Sequence, residues 1–405
     1  MTLNFPSSPS NGQTYSLANG ATYTWDGEKW KASNIPDSSD VVQTTDTPVN
    51  GEILKYENGA VVWDAESSGG GLTEFTEADN EAAPNTTIHV SSLTSNAGST
   101  NADVAIVPKG YGAFLAAVPD NTTAGGNKRG SYAVDLQMTR TLSDRVASNS
   151  RSTISGGWDN KASGYASNVS GGYNNTATSS YCAILGGINC DATSSYSISG
   201  GDNALASGYG SFAFSGEATE SLAIAIGDGN VANGSNSTCI GGYRGDTKYR
   251  GGVFVIPAGK NSDYGDAQYQ IQNVKKQTTD ATQTTLHFDT QINSASVWNT
   301  FRLAVNQMHV IKGTCVAAKS DYSLVKAWDF TAVVKWENGT TAPVIVGTPN
   351  INVLMEETNS ATWDISLDIL TYSSIIASFV VKVTGQASTT IDWLCTLHST
   401  ELNTL

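Results

Sequence analysis

The 405-residue sequence is poor in charged residues, in proline and in long apolar runs. Only 15 % of its residues are charged, which disfavours solvated helices and coiled coils. Its 10 prolines beside 40 glycines indicate tight turns between short strands and not a disordered chain. No apolar run approaches the ~20 residues of a transmembrane helix. The residues after Met1 form neither the basic nor the apolar region of a secretory signal, so we expect neither export nor membrane insertion.

Cysteine and histidine are also scarce, with five cysteines and four histidines in the whole chain. No cysteines have CxxC spacing, and no histidines have the i, i+2 or i, i+4 spacing of a ligand set. We therefore expect no disulfide framework, no metal site, no cofactor and no catalytic residue. The cysteines are interpreted as buried thiols of a protein made in a reducing cytosol: Cys182, Cys190, Cys239, Cys315 and Cys395.

Positive charge is in deficit, because 22 Lys and Arg residues stand against 37 Asp and Glu residues. The formal net charge of −15 would repel the phosphates of nucleic acids and the headgroups of anionic membranes. We therefore expect neither as a partner.

An internal repeat between residues 154 and 242 is the strongest positive signal. A glycine pair follows two residues after each of the first four repeated apolar residues, and an alanine follows after eight. A period of 14 or 15 residues suits two short strands and two tight turns, which is one coil of a β-solenoid. We expect the repeated apolar residues to point inward, with Ser, Thr, Asn and Tyr facing water. The repeated apolar residues are Ile154, Val169, Ile184, Ile198, Phe212, Ile226 and Ile240.

Such a thin coil predicts association with other chains. One coil buries about one large side chain, which does not offset an ordering cost of ~1–2 kcal/mol per residue. Stacking of coils helps, and bundling of several chains helps more. We therefore predict a homotrimer.

The repeats resemble those of a known family. The segments ISGGWDNKASGYAS, VSGGYNNTATSS and AIAIGDGNVANGSNS are similar to the head repeats of trimeric autotransporter adhesins. The resemblance implies a left-handed parallel β-roll in which three chains pack together. Neither the signal peptide nor the membrane anchor of an autotransporter is recognisable, whereas tailed-phage fibres use the same roll without export. Residues 103–137 and the C-terminal segment from ATWDISLDIL resemble marine-phage, cyanophage-like tail fibres.

The N-terminal region contains a second repeat, built around Asn19-Gly20 and Asn58-Gly59. Asn-Gly between aromatic and β-branched residues predicts β-hairpins. The first copy resembles the N-terminal module of phage tail proteins, which implies attachment to the tail. The candidate attachment residues are Phe5, Tyr23, Trp25 and Trp30, with a core role as the alternative.

The C-terminal region shows alternating apolar residues, as in the runs beginning at Trp363, Phe379 and Ile391. This period of two predicts a β-sandwich of the jelly-roll type. Aromatic residues at its turns are candidates for receptor binding because they stack on sugar faces. These candidates are Trp298, Tyr322, Trp336 and Tyr372, with packing in the core or at the trimer axis as the alternative.

The predicted fold is therefore all-β: small N-terminal hairpins, a trimeric β-roll shaft and a C-terminal sandwich. The predicted divisions are 1–35 and 36–72 for two hairpin modules, 73–146 for a neck, 147–250 for the roll, 251–280 for a connector and 281–405 for the sandwich.

The predicted function is that of a structural virion protein, a phage tail fibre assembled in the host cytoplasm. Its N-terminus is expected to bind tail, adaptor or baseplate proteins, and its C-terminal domain a host surface glycan or protein. We predict that it is not an enzyme, because the carboxylates weighed in the roll share no fixed register. Two alternatives stay open: a head-fibre, tail-tip or collar component, and a polysaccharide-depolymerising tailspike. The carboxylates considered as catalytic candidates for a depolymerase are Asp159, Asp191, Asp202, Glu217, Glu220 and Asp228.

Overall fold

In its computed structural model the described part of the protein is all-β, as predicted, apart from a 3-10 turn at Thr358–Ser360. Two compact units divide the chain, residues 1–106 and residues 107–405. The described part contains no helix long and apolar enough to cross a membrane. The structure describes residues 6–16, 22–34, 52–57, 60–65, 75–80, 90–95, 101, 103–259, 265, 267–288, 300–337 and 342–403.

The first unit contains short antiparallel sheets. Strands β1, β2 and β3 form one sheet in chain order, and β4–β5 and β6–β7 form two hairpins. Strand pairs therefore flank both Asn-Gly dipeptides, as the hairpin prediction requires. The bounds are β1 (Thr14–Ser16), β2 (Thr22–Trp25), β3 (Trp30–Asn34), β4 (Glu52–Glu57), β5 (Ala60–Ala65), β6 (Phe75–Asn80) and β7 (Val90–Ser95).

The second unit begins with a β-solenoid whose coils stack through two parallel sheets. Its strands are β8 (Phe114–Leu115), β9 (Val134–Asp135), β10 (Thr153–Ile154), β11 (Lys161–Ala162), β12 (Asn168–Val169), β13 (Thr176–Ala177), β14 (Ala183–Ile188), β15 (Asp191–Ala192), β16 (Ile198–Asp202), β17 (Leu205–Ala206), β18 (Phe212–Ala218), β19 (Ile224–Ala232), β20 (Thr238–Ile240) and β21 (Val253–Gly259). The first sheet runs β8, β9, β10, β12, β14, β16, β18, β19, β20, β21. The second runs β11, β13, β15, β17 and then the C-terminal halves of β18 and β19.

The solenoid is longer than the predicted roll, because parallel pairing already starts at Phe114. Part of the predicted neck therefore belongs to the solenoid. The first two coils are longer than 15 residues, so they fall outside the period that reveals the others. Their corner is held by Gln137, whose side-chain oxygen accepts a hydrogen bond from the Asn160 backbone at 2.6 Å.

The predicted inward register is right for the first three repeats and wrong after them. Ile154, Val169 and Ile184 are fully buried in one column. Ile198 pairs with Ala183, while the buried partner of Ile184 is Ser199. From there the inward column consists of small or medium residues, and the larger apolar residues lie on the outer face. Periodicity alone does not distinguish two neighbouring strand residues, which point to opposite faces. The later inward residues are Ala213, Ala225, Cys239 and Val255.

Asparagines of the repeat hold one corner of the coils from inside, contrary to the expectation that they face water. Asn160 is buried, and its amide donates to the Gly156 and Gly172 carbonyls at 3.1 and 3.0 Å. Its side-chain oxygen accepts from the Asn175 backbone at 3.1 Å, and Asn175 repeats the pattern one coil later. A Cβ on Gly157 would lie 2.3 Å from the Gly172 carbonyl oxygen, so this corner requires glycine.

The C-terminal region is a sandwich of two antiparallel sheets. Its strands are β22 (Ala267–Thr278), β23 (Thr284–Thr285), β24 (Phe301–Ala304), β25 (Gln307–Lys319), β26 (Val325–Trp336), β27 (Val344–Ile345), β28 (Asn350–Glu356), β29 (Asp364–Ser373), β30 (Ile376–Thr384) and β31 (Ile391–Asn403). One sheet runs β22–β31–β25–β26, with β27 and β28 along β26, and β21 extends it from the solenoid. In the other, β30 pairs with β29, β23 and β24. Both contribute to one core, which includes Trp328, Trp363, Phe379 and Trp393.

Strand β22 lies in the range predicted as a connector, yet it pairs with β31 along its whole length. Its inward positions near the solenoid are the buried glutamines Gln268, Gln270 and Gln272. These polar inward residues conceal the apolar alternation by which a strand is recognised. The sandwich sheet therefore begins before residue 281.

Candidate functional site

The outer face of the first solenoid sheet becomes apolar in its later coils. Ile198, Phe212 and Ile224 form one outward column, and Phe214, Ile226 and Ile240 form the next. In earlier coils the first of these columns is polar, because it contains the paired residues Thr153 and Asn168. Exposure remains substantial in the single chain: 52 % for Leu185, 44 % for Phe214 and 44 % for Ile256. We call Leu185, Ile198, Phe212, Phe214, Ile224, Ile226, Ile240 and Ile256 the apolar solenoid face.

The candidate attachment aromatics of the first unit pack on one another. The Trp25 and Trp30 rings lie 5.6 Å apart, and the Tyr15 ring lies 6.1 Å from Trp30. Tyr23, Trp25 and Trp30 are all half-buried. These contacts make a small aromatic cluster, and virion attachment by these residues stays a prediction. Phe5 lies outside the described residues.

The candidate receptor-binding aromatics do not form one group. Trp336 is only 2 % exposed and belongs to the sandwich core, so the receptor role expected of it is corrected. Tyr322 is 82 % exposed in the turn between β25 and β26, whereas Tyr372 is exposed on β29 of the other sheet. Trp298 lies outside the described residues. The alternation of β26 places Trp336 on the inward side, which its position near a turn concealed.

Tyr322 lies at a cleft of about 590 Å³ on the outer side of the sandwich. The lining combines apolar surface from Val316 and Leu394 with the side chains of Lys275 and Lys276. An exposed aromatic ring beside amines suits a ligand with an apolar face and anionic or hydroxyl groups.

A second cleft, of about 560 Å³, lies where the solenoid meets the sandwich, and we call it the junction cleft. Its solenoid wall is a column of outward residues in which Glu217 pairs with Val231, and Val231 with Asp246. Two ladder steps separate the Glu217 and Asp246 backbones by about 9–10 Å. The lining residues are Glu217, Val231, Asp246, Lys248, Tyr249, Arg250, Arg302, Leu303, Ala304, Gln307 and Asn403.

The floor of the junction cleft is a buried ion cluster around Glu401. Arg250 binds the Glu401 carboxylate at 3.0 Å, and Lys248 forms a second, short ion pair with it. Burial raises the pKa of Glu401, but Arg250, His309 and Lys248 outweigh it and lower this pKa to about 2. Arg250 also donates to the Gln270 side chain and to the Arg302 carbonyl, both at 2.8 Å. Arg250 and Lys248 therefore join the solenoid to the sandwich through these bonds.

Asp246 differs from Glu401 because its pKa is raised. Burial disfavours its charged form, and this effect outweighs the backbone hydrogen bond from Lys248 at 2.6 Å and the charges of Lys248 and Arg250. Glu217, by contrast, is exposed on the same wall. A carboxyl group whose pKa is raised by burial, beside one that faces solvent, is an arrangement that general acid–base catalysis uses.

Sequence reasoning weighed Glu217 but missed Asp246. The two residues share a column because Glu217, Val231 and Asp246 follow at intervals of 14 and 15 residues, the coil period itself. The expectation of no fixed register was drawn from six carboxylates that did not include Asp246, and the structure adds Asp246 to the column of Glu217. Asn403 also lines the junction cleft, and its buried side-chain oxygen has no hydrogen-bond partner in the described part of the chain. Among the described residues, no group of three or more His, Cys, Asp or Glu could hold a metal ion.

Comparison with known proteins finds no matching family model and no matching curated protein. Solved structures do match, and two of them are phage tailspikes. The first is tailspike gp49 of Acinetobacter baumannii phage Fri1, a capsular polysaccharide depolymerase: 8 % identity, TM-score 0.23, 66 % of this chain and 44 % of that one. The second is the tailspike of A. baumannii phage AM24: 8 % identity, TM-score 0.18, 73 % of this chain and 53 % of that one. The chain spans about half the length of each.

The prediction that the chain is not an enzyme is contradicted by this comparison, because the first matched structure is a depolymerase. We withdraw that prediction. The β-solenoid agrees with the phage-fibre resemblance, whereas the autotransporter and cyanophage resemblances stay predictions.

Proposed function

We propose that this chain is a phage tail protein of the tailspike type, a virion component that assembles as a homotrimer. The apolar solenoid face is the observation that most supports the homotrimer. Its outward columns would remain in water in a single chain, although burial of each large apolar side chain contributes about 1.5–3 kcal/mol. Three copies around one axis would cover all three faces at once.

The N-terminal unit would attach the trimer to tail, adaptor or baseplate proteins, and the distal part would meet a host surface glycan or protein. The exposed Tyr322 in its cleft and the junction cleft are the two concave surfaces that support host binding. The two matched structures are themselves phage tailspikes, which agrees with this proposal.

Light scattering tests the assembly. We expect a particle of about 127 kDa, three times 42.4 kDa, and we expect Phe214→Asp to dissociate it. Ser170→Asp is the matched control, because Ser170 is an exposed outward residue of a polar coil. A stable wild-type monomer at micromolar concentration would contradict the proposal.

A second function, polysaccharide cleavage, is favoured by the junction cleft. Asp246 would protonate the glycosidic oxygen as the bond from it to the anomeric carbon breaks, while Glu217 takes a proton from the water that attacks that carbon. Inverting hydrolysis places its two carboxyl groups about 6.5–9.5 Å apart, and the backbones of Glu217 and Asp246 are separated by about 9–10 Å.

Release of reducing ends from a panel of bacterial capsular polysaccharides tests this second function. We expect Asp246→Asn and Glu217→Gln to reduce the rate at least 100-fold without loss of the trimer. Asp191→Asn is the control, because Asp191 lies in the same sheet two pairings before Glu217. Equal rates in all three variants would exclude this cleft as the catalytic site.

A further inference from the structure

Two of the five cysteines face each other in the centre of the sandwich. Cys315 on β25 and Cys395 on β31 are direct partners in the antiparallel ladder, although 80 residues separate them in the chain. Both are fully buried and belong to the same hydrophobic core. Directly opposed residues of an antiparallel ladder have Cα atoms about 4.5–5.5 Å apart, which is within the range that a disulfide spans.

Their surroundings hold this pair in place. Trp328 is the ladder partner of Cys315 on the next strand, and Val274 is the partner of Cys395 on β22. Both neighbours are buried in the same core. The two sulfur atoms are therefore confined to one small space between strands that are already paired along their length.

The other three cysteines lack such a partner. The Cys182 thiol donates to the Ser179 carbonyl at 2.8 Å, and the Cys190 thiol to the Gly201 carbonyl at 3.2 Å. Cys239 pairs with Ala225 and Val255 in the solenoid. The chain therefore contains one pair that can be oxidised together and three thiols that serve as internal controls.

We propose that Cys315 and Cys395 form a cross-strand disulfide once the protein leaves the reducing compartment in which it is made. With a peroxide as oxidant, one thiol is oxidised to a sulfenic acid with release of water. The second thiol then attacks that sulfur, the S–S bond forms, and a second water leaves. Two electrons thus pass from the two sulfurs to the peroxide.

Burial makes this reaction slow. It raises the pKa of the Cys395 thiol, and neighbouring Cys315 raises this pKa further, so little thiolate is present at neutral pH. The pair therefore persists as thiols during assembly. Once formed, the bond closes a loop that contains β26 to β30, which restricts the unfolded chain and stabilises the sandwich. The proposal rests on the proposed tail function only because a virion protein leaves the reducing cytosol. Formation of the bond can therefore be tested on purified protein, whatever its function.

The test uses the full chain, purified under reducing conditions and then exposed to dilute hydrogen peroxide. Free thiols are alkylated after unfolding, and non-reduced digests are analysed by mass spectrometry. We expect one cross-linked peptide pair containing Cys315 and Cys395, and alkylation of the other three cysteines. Oxidation should raise the melting temperature by several degrees in the wild type and in Cys182→Ala, but not in Cys315→Ala.

Five alkylated cysteines after treatment of folded protein would overturn the proposal, as would sulfinic acids without a cross-link. If Cys315→Ala fails to fold, the wild-type peptide map alone decides. Loss of host binding or of polysaccharide cleavage would not change this result, so a failure of the proposed function is distinguishable.

Discussion

The solenoid and the C-terminal sandwich bury their apolar residues in opposite ways. The sandwich encloses four tryptophans and several large aliphatic residues between two sheets of the same chain. The solenoid interior holds mainly Ala, Cys, Ser and Asn in its later coils, while Ile and Phe lie on its outer face. The sandwich is therefore stabilised by its own chain, whereas the apolar outer face of the solenoid is the observation on which the proposed trimer rests.

The largest effect is expected inside the solenoid. Ile184→Asp places a charge in a fully buried column, where no partner can compensate for its lost hydration. We expect loss of the solenoid fold, measured by circular dichroism. Asn203→Asp is the matched control, because Asn203 is exposed at a corner with φ +49°. Equal melting temperatures for the two variants would contradict the inward orientation of Ile184.

The sandwich should respond to loss of its own core. Trp363→Ala removes a fully buried side chain, which typically costs about 3–5 kcal/mol. Because this core lies within one chain, we expect the loss of stability to be independent of protein concentration, unlike that of Phe214→Asp. Thermal melts over a hundredfold range of concentration make this comparison. A concentration-dependent effect of Trp363→Ala would show that the sandwich also depends on association.

Acid should weaken the junction between the two regions. Burial lowers the pKa of His309 to about 3, and the cations lower that of Glu401 to about 2. Both values lie below those of the unfolded chain. Stability from His309 is therefore complete above pH 6.5 and is lost as the pH falls towards 3, and that from Glu401 is lost between about 4.5 and 2.

Melting temperatures from pH 7 to pH 2 test this dependence. His309→Asn should flatten the decline between pH 6.5 and 3, whereas His398→Asn, a partly exposed histidine on β31, should leave it unchanged. A steep decline in His309→Asn would assign the acid sensitivity to other groups.

The smallest effect is expected at the inner corner of the coils. Asn175→Ala removes the hydrogen bonds to the Gly171 and Gly187 carbonyls at 2.9 and 3.0 Å, and we expect a loss of about 1–3 kcal/mol. Asn168→Ala loses only an exposed bond to Ser170 and is the matched control. Chemical denaturation measures both. Indistinguishable midpoints would mean that water replaces the buried amide.

The repeat and the alternation of strands were sufficient to predict the architecture, because both are local patterns of the chain. The glycine pairs at Gly156-Gly157 and Gly171-Gly172 mark corners that favour glycine, since all four φ angles are positive and backbone lies close to Gly157 and Gly172. The start of the solenoid at Phe114 and strand β22 were not predicted. The first coils of the solenoid have irregular lengths, and strand β22 has glutamines at its inward positions.

The sequence by itself determined that the chain forms thin coils of 14 or 15 residues followed by alternating strands. Only the tertiary structure decided which neighbouring residues face inward, that Asp246 joins Glu217 on one wall, and that Cys315 meets Cys395. The physical reason is that these contacts depend on how coils stack and in which order strands pair. Both bring together residues far apart in the chain, and no local pattern of side chains records them.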